Sequence, residues 1–260
     1  MFDPRLPVAR EGHIAIVTID RPEVRNALDV KLWHALRDTF DALSAEDALR
    51  CVIIRGAGGQ AFSAGSDIAS FDEAYGDPDS ATRTGQALHH GFQAIRLCRH
   101  PVVAQIEGIC LGGGAGIATM CDFRVGGEGI RFGITARNLG LWYAYAEIDP
   151  IIQTAGIGVV NELLIEGRIF NGREAYEKGL ISRVVPDAEV AAEARALAGR
   201  IAQGSPLSAR FHKAAIRKLR GALPLGAEDI AHQTDFARTE DFQAAYRAFL
   251  AKRSPVFAGR

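Results

Sequence analysis

The sequence has no marked excess of either charge, and its cysteines show no pattern typical of a disulfide framework or a zinc site. Its 260 residues include 30 Lys and Arg against 31 Asp and Glu, which gives a net charge of −1. This balance creates no broad basic field, so we expect no nucleic-acid partner. The four cysteines form no Cys-x-x-Cys pair and are joined by no histidine cluster. We therefore expect buried reduced thiols, a cytoplasmic protein and no bound metal.

Long apolar runs are also missing from the sequence. The first residues have no hydrophobic stretch of the signal-peptide kind, and no run is long enough to cross a bilayer, so we expect no membrane partner. Hydrophobic residues make up 48% of the chain, and the mean hydropathy is +0.02. Such a composition is typical of one globular domain of generous size, or of one domain with a small appendage.

The sequence pattern alternates between strands and helices over the first two-thirds and becomes helical afterwards. Apolar, β-branched runs predict strands at 13–20, 51–54, 101–106, 123–125, 130–132 and 181–186. Periodic apolar positions predict helices at 29–43, 86–98, 150–167, 190–202, 206–219, 228–239 and 241–251. Asp29 is the expected N-cap of the first helix, and the polar residues 75–80 predict a mobile loop. Repeated strand, turn and helix units indicate an α/β fold.

A glycine-rich stretch at residues 108–122 follows a predicted strand and precedes a helical pattern of small residues. Such a junction presents bare backbone N–H groups near the positive end of a helix dipole, which suits a phosphate or an oxyanion. A dinucleotide fingerprint starting at Gly112 or Gly114 would need glycine where Ile117 or Thr119 stands, and the Lys-Ser/Thr of a P-loop is missing. Two interpretations stay open here: an oxyanion site, or glycines that only let the helix pack closely on the strand.

A second segment of small residues, at 63–68, distinguishes between these interpretations. Together with the glycine-rich stretch it resembles the crotonase (enoyl-CoA hydratase/isomerase) superfamily, and the resemblance covers nearly the whole chain. Further motifs of this family occur in order at residues 21–28, 111–114, 121–122, 132–133, 138–140, 205–207 and 249–253.

The resemblance implies a spiral of ββα units followed by a helical C-terminal trimerisation region. We expect a core domain at residues 1–195, a trimerisation region at 196–260, and a homotrimer or hexamer. It also implies an acyl-CoA thioester as substrate, with no further cofactor. The backbone amides of Ser66 and Gly113 are then expected to bind the thioester oxygen as it becomes an enolate. The residues implied to bind substrate are Arg25, Ala27, Ala64, Asp67, Ile68, Gly112, Leu141 and Lys252.

The sequence departs from the hydratases of this family at their two catalytic glutamates. Those positions hold Gly116 and Ala136, and the usual position of an isomerase carboxylate holds Ala144. Neither hydratase position can activate water, so plain hydratase chemistry is not expected. Residues 138–143 resemble the methylmalonyl-CoA decarboxylase branch, which has an active-site tyrosine at the position of Tyr143. Decarboxylation forms the enolate without a base, so a decarboxylase or lyase reaction on a short acyl-CoA is favoured.

Two other functions stay open. One is an enoyl-CoA hydratase or isomerase with a relocated acid or base, for which Glu147 is the candidate. The other is an acyl-CoA-binding protein without activity, since both family glutamates are missing. The decarboxylase branch also has a histidine where this chain has Ser66, and a serine cannot act as an acid near neutral pH.

Each candidate side chain also has a structural interpretation. Tyr143 could be a core aromatic residue, and Asp67 could shape its loop through hydrogen bonds to the backbone. Glu147 and Asp149 are expected at a solvated helix start, with Asp149 as N-cap before proline. Arg25 and Lys252 match family positions near the CoA phosphates, although lone basic side chains are commonly just solvated. The histidines at positions 89, 90 and 100 are expected at the surface or an interface.

Overall fold

The computed structural model describes residues 3–220 and 239–260. Its strands are β1 (Val8–Glu11), β2 (Ile14–Ile19), β3 (Cys51–Gly56), β4 (Ala61–Ser63), β5 (Val102–Ile106), β6 (Ile109–Leu111), β7 (Phe123–Gly127), β8 (Arg131–Gly133), β9 (Ile169–Phe170) and β10 (Arg183–Val185). Its α-helices are α1 (Val30–Ala45), α2 (Phe71–Tyr75), α3 (Pro78–Leu97), α4 (Gly113–Met120), α5 (Tyr145–Val160), α6 (Gly172–Glu177), α7 (Val190–Gln203), α8 (Pro206–Arg220) and α9 (Glu240–Leu250).

Two sheets organise the fold. The larger has the order β1-β2-β3-β5-β7-β10, and the smaller has the order β4-β6-β8-β9. Within the larger sheet only β1 pairs antiparallel, and within the smaller only β9 does. Three times in succession the chain adds one strand to the large sheet, one to the small sheet and then a helix. This is the predicted α/β spiral of ββα units.

The inner strands of the large sheet, β2, β3, β5 and β7, are almost entirely buried, which explains why their sequences are largely apolar. Successive residues of β3 point to opposite faces, so Val52 and Ile54 lie in the main core while Cys51 and Ile53 lie in a second cluster. Helix α7 covers that second cluster with its own apolar face. All four cysteines are buried and reduced, as predicted.

The start of α1 follows the sequence pattern closely. The Asp29 carboxylate accepts a hydrogen bond from the Leu32 amide at 2.7 Å, as expected of an N-cap. The apolar positions of this helix are buried in the main core, including Trp33, Leu36 and Phe40. A local cap and a clear periodicity therefore suffice to predict this element.

The predicted mobile loop at residues 75–80 is wrong. Helix α2 runs to Tyr75, and α3 starts at Pro78 rather than at residue 86. The Asp77 side chain accepts hydrogen bonds from the amides of Asp79 and Ser80, and proline occupies the first position of the helix. Asp-Pro is itself a helix-start signal, so the polar composition that suggested a loop belongs to a cap.

The predicted start of the next long helix is also wrong. Helix α5 begins at Tyr145, so Asp149 is not its N-cap and Pro150 lies inside it. The helix is kinked at Gly156, and a π-helical turn, Asn161–Glu166, continues it. The earlier start moves Glu147 into the first turn, where it is buried rather than solvated.

His100 is a further correction, because it is fully buried instead of lying at the surface. Burial and the nearby cations of Arg210 and Arg99 lower its pKa to about 4. His90 is exposed and His89 is partly buried.

The stretch Tyr145–Glu166 corrects the expectation about apolar runs, since its 22 residues are long and apolar enough to span a membrane by length and composition alone. Ile151, Val159 and Leu163 of this stretch pack in the main core. The cytoplasmic location stays a prediction.

The predicted C-terminal region is partly described. Helices α8 and α9 match the predicted helices there, and the helix predicted at 228–239 lies largely outside the described residues. The boundary between residues 195 and 196 would fall inside α7. The division into domains, the role in trimerisation and the trimer or hexamer stay predictions.

Candidate active site

Two glycine segments meet where β4 and β6 end. These strands are parallel neighbours, so the residues that follow them lie at the same edge of the small sheet. A Cβ atom on Gly65 would lie 2.9 Å from the Gly113 amide nitrogen and 2.9 Å from the Leu111 carbonyl oxygen. Gly65 also has a φ of +95°, which side-chain-bearing residues rarely adopt. Only glycine allows this close approach.

The direction of the Ser66 amide is fixed by its neighbours. The Leu28 N–H donates to the Gly65 carbonyl at 2.8 Å, and the Asp67 N–H donates to the Leu28 carbonyl at 2.9 Å. These bonds make a parallel bridge between Leu28 and Ser66. Because both bonds use the residues flanking Ser66, the Ser66 N–H points away from Leu28. It is therefore available to a ligand.

The Gly113 amide is available for a different reason. Gly113 is the first residue of α4, where an N–H has no acceptor within the helix. The preceding residue, Gly112, donates its own N–H to the Gly133 carbonyl at 2.9 Å. The positive end of the α4 dipole adds to the attraction for an anion at this point.

Both amides line a cavity of about 500 Å³. Its walls come from the end of β4, from α2 and α3, from the start of α4, and from the segment at 135–147. Seven predicted site residues lie on these walls: Ser66, Gly113, Tyr143, Ala64, Ile68, Gly112 and Leu141. The structure thus brings together the two predicted amide donors and the predicted tyrosine. Their roles in binding and catalysis stay predictions.

Four predicted site residues do not line this cavity. Ala27 is buried, and its carbonyl accepts a hydrogen bond from Arg21 at 2.9 Å. The Asp67 carboxylate accepts from the Ala69 amide at 3.1 Å and pairs with Arg21 at 2.9 Å, so it shapes the loop beside Ser66. Arg25 and Lys252 are exposed residues with φ of +54° and +52°. Their contact with CoA phosphates stays a prediction.

Among the described residues that line the cavity, Glu147 is the one carboxylic acid. It is 8% exposed, and its Oε2 accepts a hydrogen bond from the Ala144 amide at 3.1 Å. Burial raises the pKa of this carboxyl group. Tyr75 and Tyr143 share the cavity, and burial together with the charge of Glu147 raises the pKa of both.

The sequence named Glu147 only as an alternative acid or base, because its predicted place was a solvated helix start. The signal that could have located it is its position three residues after Ala144, the N-cap of α5. A Glu at that position reaches back to the cap amide. The neighbouring sequence contains no signal that this cap faces a cavity.

The two positions at which the resemblance implies hydratase glutamates, 116 and 136, differ in their surroundings. Ala136 lines the cavity. At Gly116, a Cβ atom would come within 2.7 Å of the Phe92 ring. Phe92 is itself fixed by an edge-on contact with Trp33, with ring centroids 4.7 Å apart. The space for a side chain at position 116 is therefore already filled.

Comparisons with known proteins identify the family of this chain. Residues 9–260 match the family model described as enoyl-CoA hydratase/isomerase. The crotonyl-CoA hydratase of Syntrophomonas wolfei is 30% identical over 96% of this chain and 96% of its own length. The 2,3-dehydroadipyl-CoA hydratase of Escherichia coli is 30% identical over 98% of this chain and 99% of its own length.

A solved structure is similar over the same extent. The crystal structure of an enoyl-CoA hydratase/carnithine racemase from Magnetospirillum magneticum has a TM-score of 0.96 and 37% sequence identity, covering 99% of this chain and 97% of that chain. The resemblance to the decarboxylase branch stays a prediction. The chain belongs to the enoyl-CoA hydratase/isomerase family, within the crotonase superfamily, and is an acyl-CoA enzyme.

Proposed function

We propose that the protein moves a proton along an uncharged acyl-CoA through a thioester enolate, which is the reaction of an enoyl-CoA isomerase. The observation that carries this proposal is the burial of the Glu147 carboxyl group in the cavity that is also lined by Ser66 and Gly113. No cofactor beyond the CoA ester is needed, because the reaction only relocates a proton and a double bond.

The amides supply the electrostatic part of the reaction. Removing a proton from the α carbon sends the electron pair onto the thioester oxygen, which becomes negative. Two fixed N–H groups, one of them at the start of α4, stabilise that charge more than they stabilise the neutral thioester. Loss of one such donor typically costs about 3–4 kcal/mol of transition-state stabilisation.

Glu147 supplies the proton transfer. Its carboxylate takes the proton from the α carbon of a β,γ-enoyl-CoA and returns it to the γ carbon, so that the double bond moves into conjugation with the thioester. Atoms and charge balance without water. Burial raises the pKa of Glu147, which makes its carboxylate a stronger base than an ordinary glutamate. Hydration would need a group that activates water as well.

Decarboxylation is the second candidate, and the location of Tyr143 on the cavity wall favours it. Its hydroxyl could orient a carboxylate on the acyl group. However, the part of the lining that the structure describes includes no Lys, Arg or His, and Glu147 has the same charge as such a substrate. Repulsion in a poorly solvated cavity therefore favours an uncharged acyl group.

A panel of substrates distinguishes the candidates. The β,γ-enoyl thioesters are followed by the absorbance of the conjugated product, α,β-enoyl thioesters by hydration, and malonyl- and methylmalonyl-CoA by CO₂ release. We expect isomerisation to be the fastest reaction, and the Glu147→Gln variant to lose it about 10²–10⁴-fold. CO₂ release without isomerisation would favour the decarboxylase. Affinity for CoA esters without any product would favour a binding protein.

A further inference from the structure

A second, smaller cavity lies beside the first. Its volume is about 10 Å³, and it is enclosed by the start of α1, by the segment at 66–75 and by α3. The two cavities share four lining residues, Ser66, Phe71, Tyr75 and Leu88. The small cavity therefore adjoins the candidate active site at the residue that carries one of the two predicted amide donors.

Trp33 brings an unpartnered polar atom to this small cavity. It lines the cavity and is 1% exposed, and its Nε1 has no hydrogen-bond partner among the described residues. A buried donor without an acceptor is unfavourable, and such groups are rare in folded proteins. Because an indole N–H can only donate, the partner that Trp33 needs is an acceptor.

The packing of the Trp33 ring determines where its Nε1 lies. On one edge of the ring, Cε3 lies 2.8 Å from the position of a Cβ on Gly91 of α3. On the opposite edge, which includes Nε1, Cζ2 lies 3.0 Å from the position of a Cβ on Gly113. Phe92 also packs edge-on against the ring. Nε1 is thus held on the side of the ring that faces Gly113, and the ring cannot turn toward another acceptor.

The size and lining of the small cavity fit one water molecule. A volume of about 10 Å³ is close to the smallest that holds a water and is too small for a larger molecule. The Ser70 hydroxyl donates to the Asp67 carbonyl at 2.7 Å, and the Thr84 hydroxyl donates to the Ala74 carbonyl at 2.9 Å. Both hydroxyl oxygens line the cavity with lone pairs that can still accept. A water can accept from Nε1 and donate to such oxygens, whereas a cation cannot accept.

We infer that the small cavity binds one water molecule, which accepts a hydrogen bond from Trp33 Nε1 and donates to hydroxyl oxygens of the segment at 66–75 and of α3. The water joins α1 to the segment that begins with Ser66. The Asp67 amide, which donates to the Leu28 carbonyl at 2.9 Å, fixes the same segment from its other side. Trp33 therefore positions this segment through the water. The site is independent of the proposed function, because it holds water whichever acyl-CoA reaction occurs.

A high-resolution crystal structure of the unmodified protein tests for the water without any variant. We expect one water oxygen about 2.7–3.2 Å from Trp33 Nε1. Direct contact of Nε1 with a protein oxygen, or a dry cavity in well-resolved density, would overturn the inference.

An isostere of tryptophan tests the role of the N–H alone. The chain has two tryptophans, and the other, Trp142, is 95% exposed and lies outside the lining of the small cavity. In a Trp142→Phe background, 3-benzothienylalanine, in which sulfur replaces the indole N–H, therefore replaces Trp33 alone and keeps the shape of the ring. Its crystal structure should show the Phe92 contact unchanged and the water lost. A water that stays in place would contradict the role of Nε1.

Hydrogen exchange measures the connection between α1 and the segment at 66–75. The Asp67 amide should exchange about 2- to 10-fold faster in the isostere protein than in Trp142→Phe, because one hydrogen-bonded connection of its segment is lost. The amide of Ile53, a buried residue of β3, is the internal control and should exchange at the same rate in both proteins. Equal exchange of Asp67 in the two proteins would show that the water does not position the segment.

Discussion

One wall of the cavity is made of backbone, and another is made of side chains. The backbone wall contains the Ser66 and Gly113 amides, held by a strand bridge and a helix start. The side-chain wall contains Glu147 and Tyr143. The backbone wall suits any thioester, because every acyl-CoA presents the same oxygen. Under the proposed function, the side-chain wall determines which acyl group is bound and where its proton goes.

The largest loss of activity from a change in the backbone wall is expected for substitution of Gly65. We expect Gly65→Ala to lower kcat/KM for a β,γ-enoyl-CoA by about 10²–10³-fold, because the new Cβ would push against the Gly113 amide. The positive φ should also destabilise the fold by about 1–3 kcal/mol. Steady-state kinetics and denaturant unfolding measure the two effects.

Gly12→Ala is the control for backbone strain. Gly12 has a φ of +58° and open space at its Cβ, and it lies between β1 and β2. The Gly12→Ala variant should lose about 1 kcal/mol of its free energy of unfolding. Its kcat/KM should equal that of the unmodified protein. Equal kinetics for Gly65→Ala and the unmodified protein would contradict the role of this contact.

Substitution of Gly116, where Phe92 fills the space that a side chain would need, is the next test. Gly116→Ala should destabilise the fold by about 1–3 kcal/mol, since the Phe92 ring must leave its contact with Trp33. Gly158→Ala is the matched control, because it is a helical glycine with open space and should become slightly more stable. Denaturant unfolding distinguishes them. If Gly116→Ala were as stable as the control, the Phe92 ring would not be held rigidly in the space beside position 116.

The smallest effect on kcat is expected for substitution of Arg21, whose side chain contacts the loop that carries the Ser66 amide. Its guanidinium pairs with Asp67 and donates to the Ala27 carbonyl, so it joins the two strands of the bridge that orients Ser66. Arg21→Gln should lower kcat about 10-fold and leave KM nearly unchanged. Arg37→Gln, which removes an exposed pair with Asp38, should change neither. A rise in KM alone would mean that Arg21 acts in binding rather than in positioning the amide.

The two walls also differ in how far the sequence predicts them. The backbone wall depends on glycines at fixed positions, and such positions are visible in a sequence because no other residue fits them. The cap at Asp29 is visible for a similar reason, since it acts on its own helix. The shared location of Ser66 and Gly113 on one cavity and the ββα order were therefore predictable from residues 63–68 and 108–122 together with the family resemblance.

The side-chain wall could not be predicted in the same way. Glu147 has a local role as the partner of the Ala144 amide, and that role is the same whether the helix start is solvated or buried. Its burial depends on α3 and on the segment at 135–147, which lie far from one another in the sequence.

The pH dependence of isomerisation in Glu147→Gln tests the central claim most directly. In the unmodified protein, kcat/KM should fall as the pH drops through a pKa above the usual range of glutamate, because burial raises the pKa of Glu147 and only the carboxylate accepts a proton. Glu147→Gln should keep the hydrogen bond from Ala144, lose about 10³-fold in kcat/KM and lose this acid limb. Asp149→Asn, an exposed change on the same helix, should keep both. A Glu147→Gln variant that retains the rate and the acid limb would contradict the claim that Glu147 carries the proton.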